Sequence, residues 1–196
     1  MLASGGAGWA LKTRPMMPGV ALSALARTTG GRVIGDDTAR VTGIHHDSRR
    51  VEHGDLFVAR KGEHVDGWAF VGEALCRGAC AVLTEASRVP SELPVPLLVT
   101  DSVPEALARA AAVIYGDPTR RLPVVGVTGT NGKTTTVTLV GEALRQLGRR
   151  PALMGTLGVS FEDFRVAQGL NTPEADELTR LAAQLLTRGT GNPVSA

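Results

Sequence analysis

Short apolar runs broken by turn residues occupy the first part of the chain. Ala21, Leu22 and Leu25 predict a short helix closed by Gly30-Gly31, and Val33-Ile34 and Val41-Thr42-Gly43-Ile44 predict short strands. A polar cluster, His45-His46-Asp47-Ser48-Arg49-Arg50, follows at a strand end. After a Gly54-Asp55 turn, Leu56-Phe57-Val58-Ala59 reads as a strand, and Lys61-Gly62-Glu63-His64-Val65-Asp66-Gly67 as a polar, glycine-bounded loop. Phe70, Val71, Ala74 and Leu75 carry a helix that stops at Gly78, and Cys80-Ala81-Val82-Leu83 is the next strand. The three prolines between Ser87 and Pro96 mark a surface connection before the strand Leu97-Leu98-Val99. Asp101 or Ser102 caps a helix with Pro104 in its first turn and Leu107, Ala110, Ala111 and Ile114 on one face.

Breakers and charge fill Tyr115-Gly116-Asp117-Pro118-Thr119-Arg120-Arg121, and the pattern then changes. Leu122-Pro123-Val124-Val125-Gly126-Val127 is nearly continuous in apolar residues, the signature of a central strand buried on both faces. A Gly-rich segment follows, then Val137, Val140, Leu144 and Leu147 at helical spacing. Pro151-Ala152-Leu153-Met154 and Val159-Ser160-Phe161 are short strands around Gly155-Thr156-Leu157-Gly158. In the last helix Thr172 is the expected N-cap, Pro173 the first helical residue, and Glu174 and Asp176 complement the dipole. Leu178, Leu181, Ala182, Leu185 and Leu186 share its apolar face, which is expected to be partly exposed for want of flanking strands. The fold class is therefore α/β. A small N-terminal α/β domain spans 19–115, 116–121 is a linker, and 122–196 opens a parallel-sheet nucleotide domain. Residues 1–18, small and aperiodic, read as a disordered leader in which Met16 or Met17 is a candidate true start.

Composition narrows the function classes. With 196 residues, 43% hydrophobic, 20% charged and a net charge of +2, this is an ordinary globular composition. Scattered basic residues and only 4% aromatics give nucleic-acid binding no support. No apolar run approaches membrane-spanning length and the first residues lack a signal-peptide layout, so the cytoplasm is the expected compartment. Cys76 and Cys80 read as free buried thiols in a reducing environment, and His45, His46, His53 and His64 are too dispersed to mark a metal site.

The chemistry lies in Gly129-Thr130-Asn131-Gly132-Lys133-Thr134-Thr135. Between a strand and a helix, its glycines let backbone N–H groups crowd round an anion, and the helix N-terminus adds partial positive charge. Lys133 would reach the β and γ phosphates of a nucleotide, and the Thr134 hydroxyl would ligate Mg²⁺. The general phosphate-loop pattern wants glycine where Val127 stands, so a Gly-rich turn with a chance Gly-Lys-Thr is the plain alternative.

This variant loop resembles that of the Mur ligases and folylpolyglutamate synthetases, ATP-dependent enzymes that join an amino acid to a carboxylate. Three ordered stretches sharpen the resemblance: Asp47-Ser48-Arg49 with Gly54-Asp55-Leu56-Phe57-Val58-Ala59, then Gly62-Glu63-His64-Val65-Asp66-Gly67, then Gly155-Thr156-Leu157-Gly158 with Asn171-Thr172-Pro173-Glu174. They are most similar to the MurE-type members of the Mur ligase family and less closely to the MurF type. The resemblance implies that Ser48 and the backbone near His46 contact the uridine diphosphate end of a sugar-nucleotide substrate, and that Glu63, His64 and Val65 line its uracil and ribose pocket. A locally capped turn is the plain alternative for Asp47, Ser48 and Arg49. Asn171 and Thr172 match the place where the family binds the muramoyl-peptide part, although Thr often stands where Asn171 does, and Thr172 serves equally as a cap.

By resemblance the substrates are UDP-MurNAc-L-Ala-D-Glu, ATP with Mg²⁺, and a diamino acid, meso-diaminopimelate or L-lysine. A carboxylate activated as an acyl phosphate would be attacked by the amine. After Gly189 the family continues into a strand bearing a Mg²⁺-ligating Glu and then an acceptor domain, and neither has a counterpart here. The expectation is a truncated ligase, inactive alone; the alternatives are a non-catalytic UDP-sugar and ATP-binding module or a MurF-type ligase fragment.

Overall fold

The computed structural model describes residues 17–62, 65–90, 93–162, 164–166 (backbone only) and 173–187. Its elements in chain order are β1 (Val20–Ala21), α1 (Leu22–Thr29), β2 (Arg32–Ile34), β3 (Arg40–Val41), β4 (Gly43–His45), β5 (Asp55–Val58), α2 (Val71–Cys76), β6 (Ala81–Glu85), β7 (Leu97–Thr100) and α3 (Val103–Ile114). Then come α4 (Lys133–Gln146), β8 (Leu153–Gly155), β9 (Gly158–Phe161), β10 (Phe164–Val166) and α5 (Ala175–Thr187). The described residues fall into two compact units: 17–117 with Ala175–Arg180, and Pro118–Glu174 with 181–187.

The first unit is built on a five-stranded sheet of order β2-β7-β6-β5-β4, parallel except for β2, which runs antiparallel to β7. Its inner strands are buried on both faces, which is why they read as unbroken apolar runs. Alternate side chains sort to the two faces. Phe57, Val82 and Val99 form one cluster with Val71 and Ala74 of α2. On the other face, α1 and α3 pack together and against β4, β6 and β7. The face expected of α3, Leu107, Ala110, Ala111 and Ile114, is buried throughout.

Local signals set the boundaries. Gly30, at φ 72°, closes α1 in the left-handed conformation expected of a glycine cap. Ser102 holds the N-cap position of α3 with no side-chain cap bond, and Pro104 sits in the first turn. Phe70, expected in the α2 face, lies instead in a short 3₁₀ turn and is exposed, because α2 begins one residue later. Cys76, expected to be buried, is exposed at the end of α2, while Cys80 is half-buried and directs its thiol at the Arg40 carbonyl.

In the second unit, α4 is followed by the antiparallel sheet β8-β9-β10, so the parallel pairing observed here belongs to the first unit. Residues 122–127 correct the expectation of a central strand: they form no ladder among the described residues, and Val124 and Val125 are 66% and 69% exposed. The apolar pattern records burial on two faces, but a strand exists only where neighbours supply the hydrogen bonds. The face expected of α4 is correspondingly thin. Val137 and Leu144 are half-buried, Val140 and Leu147 are exposed, and the helix meets β8 through Gly141.

The last helix starts later than expected. Pro173 and Glu174 precede it, and its first-turn acids are Asp176 and Glu177. Leu181, Ala182 and Leu185 are buried, and exposure on the expected face falls mainly on Leu178. More telling is the polar set buried with them: Asp176, Glu177, Thr179, Arg180 and Gln184.

Candidate functional site

Two turns leave the same end of the first unit's sheet. Because β4 and β5 are parallel neighbours, their carboxyl ends point the same way, and ligands of open α/β sheets bind beyond carboxyl ends. Residues 46–50 follow β4, and residues 59–67 follow β5.

The first turn is locally wound. Asp47 accepts from the Arg49 N–H at 3.0 Å and from the Arg49 guanidinium, whose hydrogen bonds hold the carboxyl below its ordinary 3.8 although partial burial opposes them. The capped-turn reading of Asp47, Ser48 and Arg49 is thus what the backbone shows. Ser48 is buried and donates to Glu73 Oε2 at 2.6 Å. His46 is half-buried against Asp176, which receives both its N–H and its Nδ1. Asp47→Ala should cost about 1 kcal/mol through loss of the cap, read as a lower denaturant midpoint at unchanged slope.

The second turn is a small closed loop. Lys61 and Asp66 form an antiparallel bridge, Gly62 N–H reaches Val65 O at 2.9 Å, and Gly67 N–H reaches Arg60 O at 2.8 Å. Glycine is required at 67, since a Cβ there would lie 2.6 Å from the Arg60 carbonyl. Asp66 caps Trp68 N–H and pairs with Arg88, while Trp68 Nε1 donates to Thr84. Val65 is exposed at the loop tip, and Glu63 and His64 lie outside the described residues. So do Asn171 and Thr172.

The nucleotide loop lies in the second unit. Gly132 takes φ 76°, a left-handed conformation natural to glycine, and delivers the chain into α4 at Lys133. The first intrahelical bond runs from Thr136 N–H to Gly132 O, so the amides of Lys133, Thr134 and Thr135 have no acceptor within the helix. The Lys133 ammonium folds over the loop onto the carbonyls of Gly129 and Thr130, and 129–136 are exposed. Thr134 Oγ1 lies 3.0 Å from Thr156 Oγ1. Thr156, in the turn between β8 and β9, was not singled out from sequence; only its place in Gly155-Thr156-Leu157-Gly158 pointed to it.

These residues fit a polyphosphate: a helix N-terminus with open amides, an ammonium on a glycine-lined turn and a hydroxyl pair beside it. Among the described residues no group of three or more His, Cys, Asp or Glu could hold a metal ion. A hard cation here would therefore draw on Thr134 and phosphate oxygens. No helix among the described residues is long and apolar enough to cross a membrane.

Comparison with known proteins finds two family models along the chain. Residues 40–115 match the Mur ligase family catalytic-domain model, and 127–194 match the Mur ligase middle-domain model. The chain belongs to the Mur ligase family. It is 40% identical over 170 residues to the UDP-N-acetylmuramoyl-L-alanyl-D-glutamate--2,6-diaminopimelate ligase of Geobacter metallireducens, covering 86% of this chain and 33% of that protein. A solved structure of a ligase of the same name superposes with a TM-score of 0.65 at 22% identity, over 88% of this chain and 34% of its own. A MurF crystal structure from Acinetobacter baumannii gives 0.55 at 29% identity, over 70% and 29%. The chain spans about a third of the length of the curated relatives it matches.

Proposed function

We propose that this chain carries the sugar-nucleotide and ATP-binding elements of a MurE-type ligase of peptidoglycan precursor synthesis. The full reaction would join meso-diaminopimelate or L-lysine to UDP-MurNAc-L-Ala-D-Glu. The D-glutamate carboxylate oxygen takes the γ-phosphoryl group as ADP leaves; the amine then attacks the acyl carbon, expelling phosphate and losing its proton as the amide forms. The observation that carries the reading is the common exit of residues 46–50 and 59–67 from one end of a parallel sheet, in a chain that also ends its glycine loop at Lys133.

Each residue has a limited part. Residues 46–50 and the tip at Val65 would receive the uridine diphosphate and its base, with Glu63 and His64, while Asn171 and Thr172 would bind the muramoyl-peptide part. Lys133 and the open amides of the first turn of α4 would hold the phosphates and spread the charge of the transferring group. Mg²⁺ with the Thr134 hydroxyl would supply charge neutralisation at the β and γ oxygens.

Calorimetry with UDP-MurNAc-L-Ala-D-Glu tests the first part: saturable binding is expected, and no binding would refute it. Phosphate release with ATP and either diamino acid is expected to be absent from these 196 residues, which span about a third of the length of the curated relatives they match. A second reading, a non-catalytic UDP-sugar and ATP-binding module, is favoured by the segment ahead of the nucleotide loop, which forms no ladder among the described residues and exposes Val124 and Val125. Binding without release from a chain supplemented with the rest of a MurE ligase would select it.

A further inference from the structure

Residues 46–50 are gripped at both ends by consecutive carboxylates of α5. At one end Asp176 Oδ2 accepts from the His46 N–H at 3.2 Å and from its ring Nδ1 at 2.8 Å. At the other, Glu177 Oε1 accepts from Arg50 Nη1 at 2.7 Å. Ser48, between them, is fixed to Glu73. The two partners on α5 come from more than 120 positions further along the chain. The carboxylate side chains are 0% and 2% exposed, whereas those of His46 and Arg50 are 26% and 32% exposed.

We propose that Asp176 and Glu177 are positioning residues for the sugar-nucleotide site, setting the shape of residues 46–50 before the ligand arrives. The inference rests on the reading of those residues as the substrate turn. Three features carry it. Because Asp176 is a carboxylate, Nδ1 of His46 must be the protonated nitrogen, so one group fixes ring orientation, tautomer and backbone of the same residue. Buried ion pairs add little net stability, since desolvation offsets the attraction; what they set is geometry. Asp176 also leaves its second oxygen, Oδ1, buried with no hydrogen-bond partner among the described residues, a cost that a pair selected for stability alone would not carry. Helix position helps, because anions in a first turn are favoured by the dipole.

The test measures UDP-MurNAc-L-Ala-D-Glu affinity and amide hydrogen exchange on the intact chain and its variants. Asp176→Asn keeps the shape but not the charge and should weaken binding roughly tenfold; Asp176→Ala should weaken it roughly a hundredfold, and Glu177→Gln several-fold. Amides of residues 46–50 should exchange faster in all three, while those of Phe57 and Val82 keep their protection. Leu107→Ala, a core truncation in α3, lowers stability and should leave affinity within about twofold. NMR supplies a signature: the Nδ1-bound proton of His46 should be visible in the parent and lost in Asp176→Ala. Should Asp176→Ala fail to fold, the isosteric variants decide. Unchanged affinity in them, or an equal loss in Leu107→Ala, overturns the positioning role and leaves the functional reading standing. No binding by the parent chain overturns both.

Discussion

Lys133→Ala should lower ATP affinity at least a hundredfold while moving the unfolding midpoint by no more than a few degrees. The ammonium lies over the glycine loop on the carbonyls of Gly129 and Thr130 and is exposed, so its removal opens no cavity. A terminal phosphate would lose charge-assisted hydrogen bonds worth about 1.5–3 kcal/mol each, and two of them amount to two or more powers of ten. Lys133→Arg should recover only part of the loss, because a planar fork does not replace a compact charge at the end of a flexible stem. Titration with a fluorescent ATP analogue, alongside thermal unfolding, measures both quantities. Wild-type affinity in the alanine variant would place nucleotide binding somewhere other than this loop.

The first unit was largely legible from sequence because its strands and helices declare themselves locally. Leu56 to Val58 and Ala81 to Leu83 are apolar runs bounded by turn residues, and they became inner strands. Residues 122–127 carry the same kind of run, yet pairing is a property of neighbours, and the described residues offer none. The nucleotide loop could be read because its spacing is short-range: Gly132, Lys133 and Thr134 are adjacent, so strand-to-helix geometry is nearly built into their order. The grip on residues 46–50 could not be read. Asp176 appeared only as a dipole partner and Glu177 not at all, because nothing in local periodicity separates a solvated acid from one buried against a turn more than a hundred residues away. Four polar residues at 176, 177, 180 and 184 in an amphipathic segment look like its wet face; in the fold all four are buried.

Acid should destabilise the first unit from about pH 6.5 downward, well before carboxylates titrate, and His45 is the reason. It closes β4, is 6% exposed, and has its ring Nδ1 3.9 Å from Asp176 Oδ2. Burial pushes its imidazole down from 6.5 to about 4; Asp176 opposes the shift, and the charges of Arg180, Arg50 and His46 reinforce it. An unfolded chain takes up that proton near pH 6.5, while the folded chain refuses it until about pH 4, so the unfolded state binds more protons across this window and stability falls as pH falls. The loss should reach on the order of 2–3 kcal/mol by pH 4, or roughly 10–20 °C in the midpoint of a unit this size. Asp176 adds a separate, later step. Burial raises its carboxyl, but the hydrogen bond from His46 and the neighbouring charges bring it below 3.8, so its contribution persists above that value and disappears only as pH falls further. Urea unfolding at intervals between pH 7.5 and 4.5 should show the first decline, and His45→Asn should flatten it. A parent chain equally stable at pH 7 and pH 5 would mean that His45 reaches water in solution and that the end of β4 is more open than its burial here requires.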